Sequence, residues 1–264
     1  IKTMLISHKH KWIFIHVPKN GGSTVASALI EYADLEGAEY KELNLGHKFK
    51  SDKVDANFFQ HDTATVIKEK FNEQGLDYDS YFKFGIVRNP LSRLVSKWNY
   101  WHKLVRKGEA FPYAQHVVSE FKNFKDWLIR GGADSDMMQG DYLYESDRCQ
   151  GESLRSMSSF VKESRDWSIT KPFKGPERRK LTKSFCDRIV HMENYEQELS
   201  SVFDEISKKC GQTIHPYSYD MLREKTNATK HKCYAEYFDD EATGFAKIML
   251  ETDMPIKAMH AVVF

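Results

Sequence analysis

The stretch WIFIHVPKNGGST, Trp12 to Thr24, runs from an apolar segment into a proline, a lysine, two glycines and two hydroxyl residues. Trp12, Ile13, Phe14, Ile15 and Val17 make a short β-branched and aromatic run bounded by Pro18. Such a run suits a central parallel strand, buried on both faces, better than a helix. Gly21 and Gly22 then permit a sharp turn and bring backbone N–H groups close to an anion. Ser23 and Thr24 are placed to cap a following helix, VASALIEYA, whose positive N-terminal end faces the same anion. Lys19 stands beside it as a mobile point charge. The stretch predicts a strand, a phosphate-binding loop and a helix.

The loop is not of the G-x-x-x-x-G-K-[ST] kind, because its lysine precedes the glycines instead of following them. A second junction of the same type lies downstream. Tyr81 to Val87, YFKFGIV, reads as another buried strand and breaks at Arg88-Asn89-Pro90, with the proline placed for the first turn of a helix over roughly Leu91 to Lys107. Arg88 at the strand end and Ser96 about two turns into the helix are spaced to reach one phosphate.

The first of these motifs resembles the 5'-phosphosulfate loop of sulfotransferases that use 3'-phosphoadenosine 5'-phosphosulfate (PAPS). The second, VRNPLSRLVSKWNY, resembles the 3'-phosphate motif of the same enzymes. YFKFGIVRNPLSRLVS, NFKDWL, RIVHMENY and NATKHKCYAEYFDDEA together are similar, in order, to the carbohydrate-type members called family 2, so the resemblance covers most of the chain. It implies an α/β fold with a central parallel sheet flanked by helices, P-loop-like, in a single domain over residues 1–264. It implies PAPS as sulfuryl donor and no metal. It places Lys19, Asn20, Gly21, Gly22, Ser23 and Thr24 on the 5' side of the nucleotide and Arg88 and Ser96 on the 3'-phosphate. Arg93 matches the motif too, but an arginine on an amphipathic helix is more often an ion-pair partner and stays outside the site.

Length and composition set bounds on other classes. A chain of 264 residues is long enough for one α/β domain with a full core. Thirty-nine basic against thirty-eight acidic residues leave no global field to recruit nucleic acid or a membrane surface, so any anion site must be local. Cys149, Cys186, Cys210 and Cys233 stand far apart with no CxxC pair, a pattern against zinc and against a dense disulfide framework. No apolar run reaches the ~18 residues of a membrane span. Met4 as a native start implies a cytoplasmic enzyme; a trimmed lumenal domain of an anchored Golgi enzyme is the competing reading. Asn227-Ala228-Thr229 is a glycosylation sequon at near-chance frequency. The sequence carries no signal of oligomeric state.

Elsewhere, Asp34 to Phe59 reads as loop with short helices. Asp62 to Gln74 reads as a helix opened by a cap at Asp62, with Val66, Ile67 and Phe71 on one face and Gly75 at its end. Phe121, Phe124, Trp127 and Leu128 mark a buried helical face ended by Gly131-Gly132. Ala133 to Ser184 reads as loop, with a basic cluster of Lys171, Lys174, Arg178, Arg179, Lys180 and Lys183 that is either a solvated surface or a groove for an anionic acceptor. Arg188 to Met192 predicts a third strand, and Glu193 to Cys210 a helix with Leu199, Val202, Phe203 and Ile206 inward. Lys225, Thr226 and Lys230 fall where the resemblance implies cofactor contact, and equally where a helix-capping loop is expected.

Sulfuryl transfer requires charge stabilisation on the departing phosphate and removal of a proton from the acceptor hydroxyl, so positioning and electrostatics dominate. Lys19 and the loop N–H groups suit the first task, by analogy with phosphoryl transfer. Among eleven histidines, His61 in FFQHDTATVIKEK and His47 in LGHKF are the candidate general bases, and His16 reads as a packed or hydrogen-bonded residue of the first strand. The expected acceptor is a carbohydrate hydroxyl; a small metabolite or peptidyl tyrosine is the alternative. Two readings from other classes stand beside this one, a P-loop-like nucleotide kinase and a non-catalytic nucleotide- or glycan-binding module.

Overall fold

In the computed structural model, which describes residues 4–29, 32–33, 58, 60–109, 112–130, 133, 139–146, 181–211, 213 and 231–250, the opening apolar run is a strand, β2 (Trp12–Ile15). It pairs in parallel with β3 (Phe82–Val87), and β3 pairs in parallel with β6 (Arg188–His191). Every residue of β2 and β3 is buried, which explains why both read as unbroken apolar runs. The sheet is mixed: β1 (Leu5–Ser7) adds an antiparallel edge to β2, closing the order β1-β2-β3-β6. Sequence reasoning did not anticipate β1. It is three residues long and leads into a turn of His and Lys residues, with Lys11 in the left-handed region at φ 54°.

The described elements fall into two units, and the chain crosses between them more than once, first between Arg88 and Asn89. In the first, Trp12, Phe14, Phe82, Phe84, Ile86 and Val190 line one face of the sheet. Val25 and Leu29 of α1 (Gly22–Leu29) cover it, together with Leu199, Val202, Phe203 and Ile206 of α7 (Tyr195–Cys210). The Phe14 and Phe84 rings, paired across the parallel ladder, lie 5.1 Å apart. Full burial of each such side chain contributes roughly 1.5–3 kcal/mol. On the other face Gly85 makes room for Leu143, whose Cδ2 lies 2.4 Å from where a Cβ would stand.

The helix expected from Asp62 is α2 (Ala64–Glu73), and its cap is Thr63, whose hydroxyl accepts from Val66 N at 3.3 Å. Asp62 is instead buried and holds Lys70, two turns along, at 2.6 Å. The chain leaves α2 through Gly75 at φ 67°, as expected of a helix-ending glycine.

The second unit is built around α3 (Pro90–Arg106), which starts with proline in its first turn under an Asn89 cap accepting from Ser92 N at 3.0 Å. Leu91, Leu94, Trp98 and Trp101 of α3 pack with residues of α4 (Pro112–Glu120), α5 (Phe124–Ile129) and α8 (Asp240–Leu250). Phe121 joins this core from outside the helix, because Asn123 caps α5 and places its start after Phe121. Lys125 grips Asp239 at 2.7 Å and Glu241 at 2.6 Å, holding the Asp239 carboxyl below the usual range, and Asp239 also caps α8 through Ala242 N. Within the stretch expected as loop, described residues form α6 (Gln139–Leu143) and the paired strands β4 (Tyr144–Ser146) and β5 (Leu181–Ser184), most of whose residues belong to the first unit. Lys171, Lys174, Arg178, Arg179 and Lys180 lie outside the described residues, as do Gly131, Gly132, Lys225, Thr226 and Lys230.

The entry of β3 is fixed by a charged clasp. Asp187 Oδ2 accepts from Lys83 N at 2.7 Å and lies 3.3 Å from the buried Lys83 Nζ, which also donates to Tyr81 O at 2.7 Å. Asp187→Ala should cost about 2 kcal/mol, the scale of a hydrogen bond to a charged group lost beside a buried cation, while Asp187→Asn should cost less. Urea unfolding of both variants checks this; equal stability of Asp187→Ala and the parent would show that the clasp contributes nothing.

Candidate functional site

Beyond Ile15 the chain leaves the ladder and runs through His16, Val17 and Pro18 into the loop. Lys19 takes a left-handed conformation at φ 69° and Gly21 another at φ 75°, the sign of φ that backbone anion-binding nests use. For Lys19 this conformation costs on the order of 1–2 kcal/mol, so neighbouring groups must hold it. Two bonds do so. Arg88 Nη1 donates to the Lys19 carbonyl at 3.3 Å, and the fully buried Asn20 donates through Nδ2 to the Ile86 carbonyl at 2.7 Å. Both tie the loop to the end of β3. Helix α1 then starts at Gly22, with Thr24 N donating to Gly21 O at 3.0 Å and no acidic residue in its first turn.

The loop is walled on two sides. A Cβ on Gly21 would meet Met192 Cε at 3.5 Å and Tyr195 Cε2 at 3.9 Å, so the start of α7 lies against it. The Tyr195 hydroxyl is enclosed without a hydrogen bond of good geometry, and Thr24 is the polar side chain that acts on it. Burial pushes the Tyr195 hydroxyl well above its ordinary pKa and keeps it protonated. On the other side stands His16, buried, with its Cδ2 and Nε2 each 2.2 Å from where a Gly22 Cβ would be. Only glycine fits there.

His16 is itself part of a cluster. Its Nδ1 lies 2.9 Å from Gln60 Nε2, its carbonyl lies 3.0 Å from His61 Nδ1, and the two imidazole centroids are 4.7 Å apart at 67°. At the end of β6, His191 sits opposite Val87, and Glu198 Oε2 accepts from its N–H at 2.8 Å and lies 3.2 Å from its Nδ1.

Lys19, Asn20, Gly21, Gly22, Ser23, Thr24, Arg88 and His61 thus come together at the ends of β2 and β3, with His61 reaching the loop through His16. The Asn20 side chain anchors the loop to β3. Ser96 is buried on α3 in the second unit, and His47 lies outside the described residues. Sequence reasoning missed Gln60, Met192 and Tyr195. The last two belong to RIVHMENY, whose place against Gly21 depends on β6 pairing with β3. Chemically, the site carries a left-handed turn, a helix start, Lys19 and Arg88 that suit an anion, and imidazoles that suit a proton. Among the described residues, no group of three or more His, Cys, Asp or Glu side chains is placed to hold a metal ion.

No curated protein matches the chain significantly. The family model described as "Sulfotransferase family" matches residues 2–222, a span that contains the loop, the histidine cluster, Arg88, Ser96 and Tyr195. With that much of its 264 residues matched, on a mixed sheet flanked by helices, the chain belongs to the Sulfotransferase family and is a sulfotransferase enzyme.

Proposed function

We propose that the enzyme takes its sulfuryl group from PAPS and delivers it to an acceptor hydroxyl, on a carbohydrate before a small metabolite or a peptidyl tyrosine. The observation that carries this reading is the Lys19–Gly22 turn, with left-handed φ at Lys19 and Gly21, bound to Arg88 through the Lys19 carbonyl. The residues suit a phosphosulfate: the turn carries backbone N–H groups and a lysine, and the first turn of α1 has no carboxylate to repel an anion. A carbohydrate acceptor rests on the resemblance to carbohydrate-type members. PAPS, when bound, supplies an activated sulfuryl group on a phosphate leaving oxygen.

In this reading Lys19 and the loop amides neutralise charge that grows on the leaving oxygen, and Arg88 with Ser96 holds the 3'-phosphate. His61 removes the acceptor proton, with His47 as the alternative base. No metal is needed for any of these roles.

Three measurements test the assignments. PAP should bind more tightly than AMP, and Arg88→Ala should weaken PAP binding by roughly 10- to 100-fold, as expected for a charge-assisted contact of about 1.5–3 kcal/mol. Calorimetry giving equal affinity for PAP and AMP would remove the 3'-phosphate role. Lys19→Ala should lower kcat by about 10²–10³, the range for losing one transition-state donor; a rise in KM for PAPS at constant kcat would make Lys19 a ground-state binding residue. His61→Ala should abolish transfer, followed with labelled PAPS over a panel of glycans, metabolites and tyrosine peptides, while PAP affinity stays nearly unchanged. Melting temperature measured on the same variant separates lost chemistry from lost folding, and an active His61→Ala beside a folded, inactive His47→Ala would move the role to His47.

A further inference from the structure

Tyr195 opens α7 with its ring against the loop, its Cε2 3.9 Å from where a Gly21 Cβ would stand. Packing accounts for the ring, which lies against the core that Trp12, Phe14, Val25 and Val190 belong to. It does not account for the hydroxyl. That oxygen is enclosed, and among the described residues no atom meets it in hydrogen-bond geometry. A donor stripped of water and left without an acceptor is a net cost to the fold, so phenylalanine would serve the packing better. The polar side chain that acts on the hydroxyl is Thr24, the third residue of α1 and itself buried.

We propose that Tyr195 is a positioning residue for the nucleotide: with a phosphate group in the loop, the Tyr195 O–H donates to Thr24 Oγ1, and Thr24 turns its own hydrogen to a phosphate oxygen. This rests on the sulfotransferase reading above and deepens it, because it adds a residue from the start of α7 to the 5' side of the nucleotide. A hydroxyl oxygen accepts and donates at once, so Thr24 can be the middle link. Acidity sets the direction of the chain. A phenol is a stronger donor than an aliphatic hydroxyl, and burial holds this one protonated. At the far end an ionised phosphate oxygen only accepts, so it selects the orientation in which Thr24 donates to it and accepts from Tyr195. Because the Tyr195 hydroxyl is enclosed, it acts through Thr24 and touches no ligand.

Tyr195→Phe and Thr24→Val remove the two hydroxyls at nearly constant shape. In the full chain, Tyr195→Phe should melt at or above the parent temperature yet bind PAP roughly 3- to 10-fold more weakly by calorimetry, the effect of one neutral hydrogen bond. Lost packing would move both readouts the same way, whereas the proposal moves them apart. Parent-like PAP affinity in Tyr195→Phe would overturn it. So would a melting temperature several degrees lower, which would show that the fold already satisfies the hydroxyl. Thr24→Val should weaken PAP binding at least as much, and adding Tyr195→Phe to it should cost nothing further; losses that multiply would give Tyr195 a route around Thr24 and overturn the chain. Binding of PAP to the parent protein decides the reading beneath. If the parent binds no PAP, the nucleotide reading falls and the chain with it, whereas a parent that binds PAP no more tightly than Tyr195→Phe removes the chain alone.

Discussion

Two parallel strands that diverge at their ends leave carbonyls that the ladder no longer satisfies, and here one of them, on Ile86, is taken by the side chain of Asn20 at 2.7 Å. The rest of the site depends on that bond. It fixes where the loop leaves β2 relative to where Arg88 leaves β3, and it does so in a fully buried position, where an unsatisfied carbonyl would cost about 1–3 kcal/mol. With the loop anchored there, Arg88 reaches the Lys19 carbonyl and supports a backbone conformation that lysine adopts only at a cost. The left-handed turn and the bond that Arg88 makes to it therefore follow from where an amide side chain anchors the loop.

Much of this was legible in the sequence because the determining residues are close together in the chain. Strand β2 is a contiguous apolar run, the turn needs its glycine within two residues of the lysine, and Pro90 marks the start of α3 from its own constraint on φ. Where meaning comes from distant pairing, the sequence was silent or misleading. Asp62 has the chemistry of a helix cap, yet Thr63 fills that role because a carboxylate one residue earlier is better placed to hold Lys70. Gln60 carries no motif; it matters only because the chain brings it to a histidine 44 positions away. Met192 and Tyr195 reach Gly21 only once β6 has taken its place beside β3.

The glycines of the loop illustrate how one residue type serves unrelated needs. Gly21 is required by backbone angle, since its φ of 75° is strained for any side chain, and a Cβ there would still find ordinary contact distances. Gly22 is required by space: a Cβ would stand 2.2 Å from an imidazole. An identical GG pair in sequence thus encodes one conformational and one steric demand, and the steric one exists only because His16 is folded back over the helix start.

The two ends of the parallel strands divide the work in a way the physics of such sheets favours. Ligand-binding loops form beyond the carboxyl ends, where helix starts supply partial positive charge. The Lys19 turn, Arg88 and His191 all lie at that end. The amino end of β3 carries its own ionisable group, the buried Lys83, but every polar contact shown for it is internal: Asp187, the Tyr81 carbonyl and the Tyr78 ring at 5.1 Å. Its neighbour Cys186 is pushed well above its ordinary pKa by burial and the Asp187 charge, so it stays a thiol. A buried cation neutralised by its own clasp staples β3 to the approach of β6, and that pairing sets the strand ends at which the chemistry is assembled. The charge at the amino end of β3 holds the register, because the fold itself supplies its counter-charge through Asp187.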